Sequence, residues 1–161
     1  MSLNRYKPHL FVLPEDDANR QIADGFALHL NVRERVIQVL PPAGGWSKVL
    51  DKFKEAHISE MKKYLEERIV LLIDFDRNEN RLSHVCNQIP LDLEERVFVL
   101  GVLSNPERLK GNIRKNFEGI GEALAKDCFE NTSELWNHEL LKHNKSELDR
   151  MISSIKPFLF D

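Results

Sequence analysis

Four short apolar runs, each closed by charged or turn-forming residues, constrain this chain more than any other feature. They are His9-Leu10-Phe11-Val12-Leu13, Arg35-Val36-Ile37-Gln38-Val39-Leu40, Arg68-Ile69-Val70-Leu71-Leu72-Ile73 and Arg96-Val97-Phe98-Val99-Leu100-Gly101-Val102. The first, third and fourth do not alternate. A strand with one wet face alternates, whereas a parallel strand covered on both faces reads as a continuous apolar run. Between the runs the period becomes helical. Ile22, Phe26 and Leu30, with Ala23 and Ala27, make one stripe; Trp46, Val49, Leu50 and Phe53 make the next, and Ile58, Met61, Tyr64 and Leu65 continue it. Asn80–Ile89 is a shorter helical segment ended by Pro90. The alternation predicts an α/β fold: a doubly wound, mainly parallel four-stranded sheet with helices on both faces.

Past residue 104 no further strand pattern occurs. Asn105-Pro106-Glu107 reads as an N-cap with proline at the first helical position, followed by the stripe Ile113, Phe117, Ile120, Leu124 and Cys128. Asn131 with Glu134, and Asn144 with Glu147, have capping-box spacing and predict two more helices, the last ended by Pro157. The expected organisation is an α/β core over residues 1–104 and a helical C-terminal extension over 105–161, packed as one compact unit. A chain of 161 residues suits one such domain.

Charge and cysteine content narrow the setting. With 23 Lys and Arg against 26 Asp and Glu, the formal charge is −3, so no overall basic field draws the chain to nucleic acid. Contact with nucleic acid would need the local patch of Lys110, Arg114 and Lys115, or a partner protein. No apolar run approaches the roughly 20 residues of a membrane span, and no leader-like apolar segment follows Met1, so no membrane association is expected. Cys86 and Cys128 cannot form a disulfide framework, which points to free thiols in a reducing cytoplasm.

In open α/β sheets ligands sit beyond the carboxyl ends of the strands, so the residues after each run are the site candidates. These are Pro14-Glu15-Asp16-Asp17, Pro41-Pro42-Ala43-Gly44-Gly45, Asp74-Phe75-Asp76-Arg77-Asn78 and Leu103-Ser104-Asn105. If the third strand persists, Asp74 and Asp76 share a face, and like charges that close call for a proton or a cation between them. Mg²⁺ or Mn²⁺, with Glu15, Asp16 or Asp17 supplied from the neighbouring strand, would meet that need. The competing role for such acids is turn formation and helix capping. Gly44 and Gly45 fit either a tight strand-to-helix turn or a close approach of backbone to a phosphate, with Lys110 as a further phosphate contact. His138 and His143 stand five positions apart, about 140° around a helix, and cannot chelate one zinc ion from one face. Trp46 and Trp136 fit the amphipathic stripes and are expected in the core.

Taken together, Phe11-Val12-Leu13-Pro14-Glu15-Asp16-Asp17-Ala18, Ala43-Gly44-Gly45 and Leu71-Leu72-Ile73-Asp74-Phe75-Asp76 resemble the topoisomerase–primase (Toprim) domain. The likeness is to the branch found in overcoming-lysogenisation-defect nucleases and small bacterial proteins, and it covers residues 9–104. The resemblance implies metal-dependent phosphodiester chemistry on nucleic acid, with Glu15 as general acid or base and Asp74 and Asp76 holding Mg²⁺. Asp16 stands where that family usually has glycine, and Asn78 where a third acid often follows. A catalytically silent Toprim-like binding or assembly module is therefore the alternative. A second one is a receiver-like signalling domain, which the acids after the first strand and Asp74 as phosphoacceptor also resemble.

Overall fold

The computed structural model describes residues 3–161; Met1 and Ser2, the start of the segment in which no leader is expected, lie outside the described residues. Strands β1 (His9–Pro14), β2 (Ile37–Val39), β3 (Glu67–Leu72) and β4 (Val97–Leu100) form one sheet in the order β2-β1-β3-β4, every pair parallel. The continuous runs are explained by burial on both sides. Leu10, Val12, Val70, Phe98 and Leu100 point to one face, while Phe11, Leu13, Ile69, Leu71, Val97 and Val99 point to the other. The run at Arg35–Leu40 contributes only three paired residues. Arg35 takes a left-handed φ of 68°, and Gln38 is exposed on what proves to be an edge strand.

Helices α1 (Asp17–Ala27), α5 (Pro106–Ile113), α6 (Phe117–Glu130) and α7 (Lys145–Leu159) cover the first face. The second is covered by α2 (Trp46–Lys52), α3 (Ile58–Lys63) and α4 (Arg81–Cys86), the first two joined without a break by a π-helical turn at Phe53–His57. Helices α1 and α6 cross at backbone contact. A Cβ on Gly121 would stand 1.8 Å from the carbonyl oxygen of Ile22, and one on Gly25 would stand 2.0 Å from that of Glu118. Ile120, Leu124, Met151 and Ile155 share their core with Leu10 and Val12, so the C-terminal helices complete the first face of the sheet. Cys86 and Cys128 are both free. Among the described residues no helix is long and apolar enough to cross a membrane.

The predicted C-terminal elements differ from the observed ones in four places, each with a local cause. The stripe Ile113–Cys128 is two helices, because Arg114 ends α5 at a φ of 56° and the Asn116 side chain caps α6 by accepting from the Gly119 N–H. Asn131 closes α6 in the left-handed region instead of opening a helix. The segment beyond it folds around the buried Asp127 carboxylate, which accepts from Thr132 Oγ1, Leu135 N–H and Trp136 N–H. His138 and His143 therefore lie off any α-helix, and His143 Nε2 donates to the Gly101 carbonyl at 2.9 Å. Pro157 sits inside α7, which runs on to Leu159, and the chain end is then tied to Val32 by an isolated antiparallel bridge from Phe160.

The open edge of β4 is satisfied by side chains. Asn144 accepts from the Gly101 N–H at 3.1 Å and donates to its carbonyl at 2.9 Å, while Glu147 accepts from the Val99 N–H at 3.0 Å. A primary amide presents the same donor and acceptor as a peptide group, so Asn144 does the work of a fifth strand over one residue. Replacing Asn144 by Ala leaves the buried Gly101 N–H unpaired. Urea denaturation should show a loss of about 2–3 kcal/mol, the cost of an orphaned buried donor plus the bonds removed. A change below ~0.5 kcal/mol would show that the edge is held by α7 packing alone.

Candidate metal centre at the switch point of the sheet

From β1 the chain passes to β2 on one side, and from β3 to β4 on the other. Loops leaving β1 and β3 therefore diverge, and a crevice opens beyond the carboxyl ends of these two strands. Glu15, Asp16 and Asp74 meet there, each offering a carboxylate oxygen within 4.8 Å of the others. The β1–β3 ladder continues one step past the strands, with Glu15 N–H donating to the Leu72 carbonyl at 2.8 Å. The Glu15 side chain then takes over: its Oε1 accepts from the Asp74 N–H at 2.8 Å.

Asp16 is the N-cap of α1 and accepts through Oδ1 from the Asn19 N–H at 3.0 Å. Asn19, fully buried on the first turn of α1, ties the acids together. Its Nδ2 donates to Asp16 Oδ1 at 2.9 Å and to Asp74 Oδ1 at 2.8 Å. Each carboxylate is thus oriented through one oxygen. Glu15 Oε2, Asp16 Oδ2 and Asp74 Oδ2 receive no hydrogen bond among the described residues. Three oriented carboxylates with three spare oxygens form a donor set suited to a small hard divalent cation.

The electrostatics match that geometry. Burial pushes the Asp74 carboxyl up to about 7 from an ordinary 3.8; Asn19 opposes the shift, and repulsion from Glu15, Asp16 and Asp76 adds to it. Burial also raises Glu15, with the Asp74 N–H opposing, Asp16 and Asp76 adding, and Arg81 opposing. The cation facing these acids is Arg81, whose Nη1 donates to the Asp74 carbonyl at 2.8 Å and to Asp76 Oδ2 at 2.9 Å. Its guanidinium lies 4.6 Å from the centre of the Trp46 ring.

The other candidate residues fall around this centre, outside the group of three. The third strand ends at Leu72, and Asp76 and Arg77 adopt left-handed φ values of 46° and 55°, so Asp76 leaves the shared face and pairs with Arg81 in an exposed position. Asp17 is exposed and bonds Arg20 and Gln21, Arg20 foremost, which lowers its pKa. Gly44 and Gly45, at φ 100° and 150°, form the turn into α2, and both N–H groups donate to the Glu15 carbonyl, at 2.8 and 3.2 Å. Lys110 lies over the Phe117 ring at 4.8 Å.

Sequence reasoning missed Asn19 and Arg81. Asn19 had a readable signal, the third-residue position after an Asp cap, but nothing in the spacing showed that its amide would span two strands. Trp46, expected in the core, is half-buried and packs against the core of the second face, with Arg81 over its ring. Comparison with protein-family models, curated proteins and solved structures finds no match to this chain.

Because the folded pKa of Asp74 exceeds its unfolded one, its protonation favours the folded state. That contribution is full below about pH 3.8 and is lost as pH rises through about 7. A shift of this size corresponds to roughly 4 kcal/mol. Without metal, Asp74→Asn should therefore be more stable than the parent at pH 8 by up to that amount, and the difference should shrink towards pH 4. Melting curves at the two pH values check this; equal differences at both would place the Asp74 carboxyl in a solvated setting.

Proposed function

We propose that the crevice between β1 and β3 binds Mg²⁺ or Mn²⁺ and carries out phosphodiester chemistry on nucleic acid, as the Toprim-like pattern implies. The observation that supports this most is the convergence of Glu15, Asp16 and Asp74 with one oxygen of each left without a donor. Asp16, the N-cap of α1, and Asp74, just past β3, would hold the cation. Once bound, it would polarise a phosphate oxygen and neutralise charge that develops there. Glu15 is held through Oε1, which leaves Oε2 to accept a proton from an attacking water or return one to the leaving oxygen. Its raised pKa makes it the stronger base for that step. Asp76 adds negative charge at the rim, and the glycine turn fixes the backbone of Glu15.

The acidic balance of the chain makes tight unaided binding to DNA unfavourable, since few basic groups release counterions. Nucleic acid would be engaged through the exposed Lys110, Arg114 and Lys115 or through a partner protein, and two free thiols accord with a cytoplasmic setting.

Mg²⁺ or Mn²⁺ at millimolar concentration should raise the melting temperature, because only the folded chain assembles the three acids. Asp74→Asn should abolish the rise. Mn²⁺-dependent nicking of plasmid DNA should fall at least ~100-fold in Glu15→Gln, the scale of a lost general base. Metal binding without nicking would favour a silent module. Stable labelling of Asp74 by acetyl phosphate, again without nicking, would favour the receiver-like reading. No metal-induced shift in the parent would overturn the metal site.

A further inference from the structure

The contacts that Arg81 makes with the chain use only part of its guanidinium. Its Nη1 is committed to the Asp74 carbonyl and to Asp76. The side chain is only 10% exposed, its Nε is buried with no hydrogen-bond partner, and Nη2 makes no hydrogen bond among the described residues. In a guanidinium, Nε–H and Nη2–H point the same way along one edge and match two oxygens of an oxyanion. The fork is thus half used, and its free edge belongs to a group fixed from behind by the Trp46 ring at 4.6 Å. A buried charged donor left unpaired is costly, and among the described residues no acid supplies the missing acceptor.

We propose that Arg81, backed by Trp46, is the phosphoryl-binding residue of this crevice, its Nε–H and Nη2–H receiving two oxygens of a phosphate ester. The tie from Nη1 to the Asp74 carbonyl sets the fork next to the residue whose carboxylate closes the acid cluster. A phosphoryl group fits there better than a carboxylate. It gives two oxygens to arginine and keeps another for the cation, a third non-bridging oxygen in a monoester or an ester oxygen in a diester, whereas a carboxylate has no third oxygen. Only that third contact rests on the metal reading above.

The test is calorimetric titration of inorganic phosphate into the full chain, with and without Mg²⁺, on the parent, Arg81→Gln and Arg81→Lys. Phosphate affinity should fall at least about tenfold in both variants, because neither keeps the bidentate edge. Mg²⁺ affinity should stay within about twofold of the parent or tighten, since a positive charge beside the acids is removed or kept. Should Arg81→Gln fail to fold, Arg81→Lys and Trp46→Leu carry the comparison, and both should weaken phosphate. Unchanged phosphate affinity in the variants overturns the proposal, as does acetate binding as well as phosphate. Equal loss of phosphate and Mg²⁺ binding also overturns it, because Arg81 would then act only by positioning Asp74. A parent that binds no Mg²⁺ overturns the metal reading instead, and the metal-free phosphate titration still decides the role of Arg81.

Discussion

The six-residue parallel ladder between β1 and β3 fixes almost everything else. It pairs His9 with Glu67 at one end and Pro14 with Leu72 at the other. Both strands are packed on two faces, and the two faces carry different shapes: Leu10 and Val12 on one, Phe11 and Leu13 on the other. A one-residue slip would exchange those sets, so the register is strongly specified. Given the register, Glu15 leaves β1 level with Ile73, one residue short of Asp74. The hydrogen bond from Asp74 N–H to Glu15 Oε1 is the ladder's last rung, made by a side chain where the neighbouring backbone has turned away.

The two ends of this ladder show what a buried carboxylate needs. At the amino end Glu67 is fully buried, like the acid at the other end. Burial alone would raise its pKa, but bonds from His9 Nε2 at 3.3 Å and Arg5 Nη2 at 2.7 Å, with the charge of Arg5, bring it below the ordinary value. That acid is neutralised by the chain's own cations and stays ionised. At the carboxyl end Asp74 has only a neutral amide, Asn19, and three acids around it, and its pKa moves the opposite way. One sheet therefore holds, at one end, an acid paired with the chain's own basic side chains, with Glu67 Oε2 and Arg5 Nε still unpartnered. At the other end it holds an acid facing only an amide and other acids.

The sheet was legible in sequence because its signal is chemical and local: continuous apolar runs follow from burial on both faces, whatever lies far away in the chain. Asp16 as a cap and the glycine turn were legible for the same reason. What could not be read depended on long-range contacts. Asn144 looked like an ordinary helix cap, yet its amide is spent on Gly101, forty-three positions away. Asn131 had the spacing of a helix start, but the buried Asp127 carboxylate offered the following N–H groups a better acceptor than a new helical turn would. Asp74 and Asp76 alternate as strand residues should, and only the end of the ladder at Leu72 and two left-handed residues separate them.

A structural role alone accounts poorly for the acid at position 74. Capping of α1 is complete with Asp16, whose Oδ1 already serves the Asn19 N–H. The contact between Asn19 Nδ2 and residue 74 needs one acceptor, which an uncharged amide would provide without repulsion from Glu15 and Asp16. Burial and the neighbouring acids disfavour the charged form of a carboxyl there, and the Asn19 amide offsets this only in part. Arg81, the nearest cation, spends its bonds on the carbonyl of Asp74 and on Asp76, and leaves the Asp74 carboxylate itself unpaired. Unpartnered buried polar atoms also occur at Glu67 and Arg5. Here, though, they stand beside three converging carboxylates with raised pKa or crowded charge, the setting in which a ligand is proposed as the missing partner. Under the proposals above, the spare oxygens of the three acids suit a cation, and the free edge of the arginine beside them suits an anion. A metal-bound phosphoryl group is one species that satisfies both.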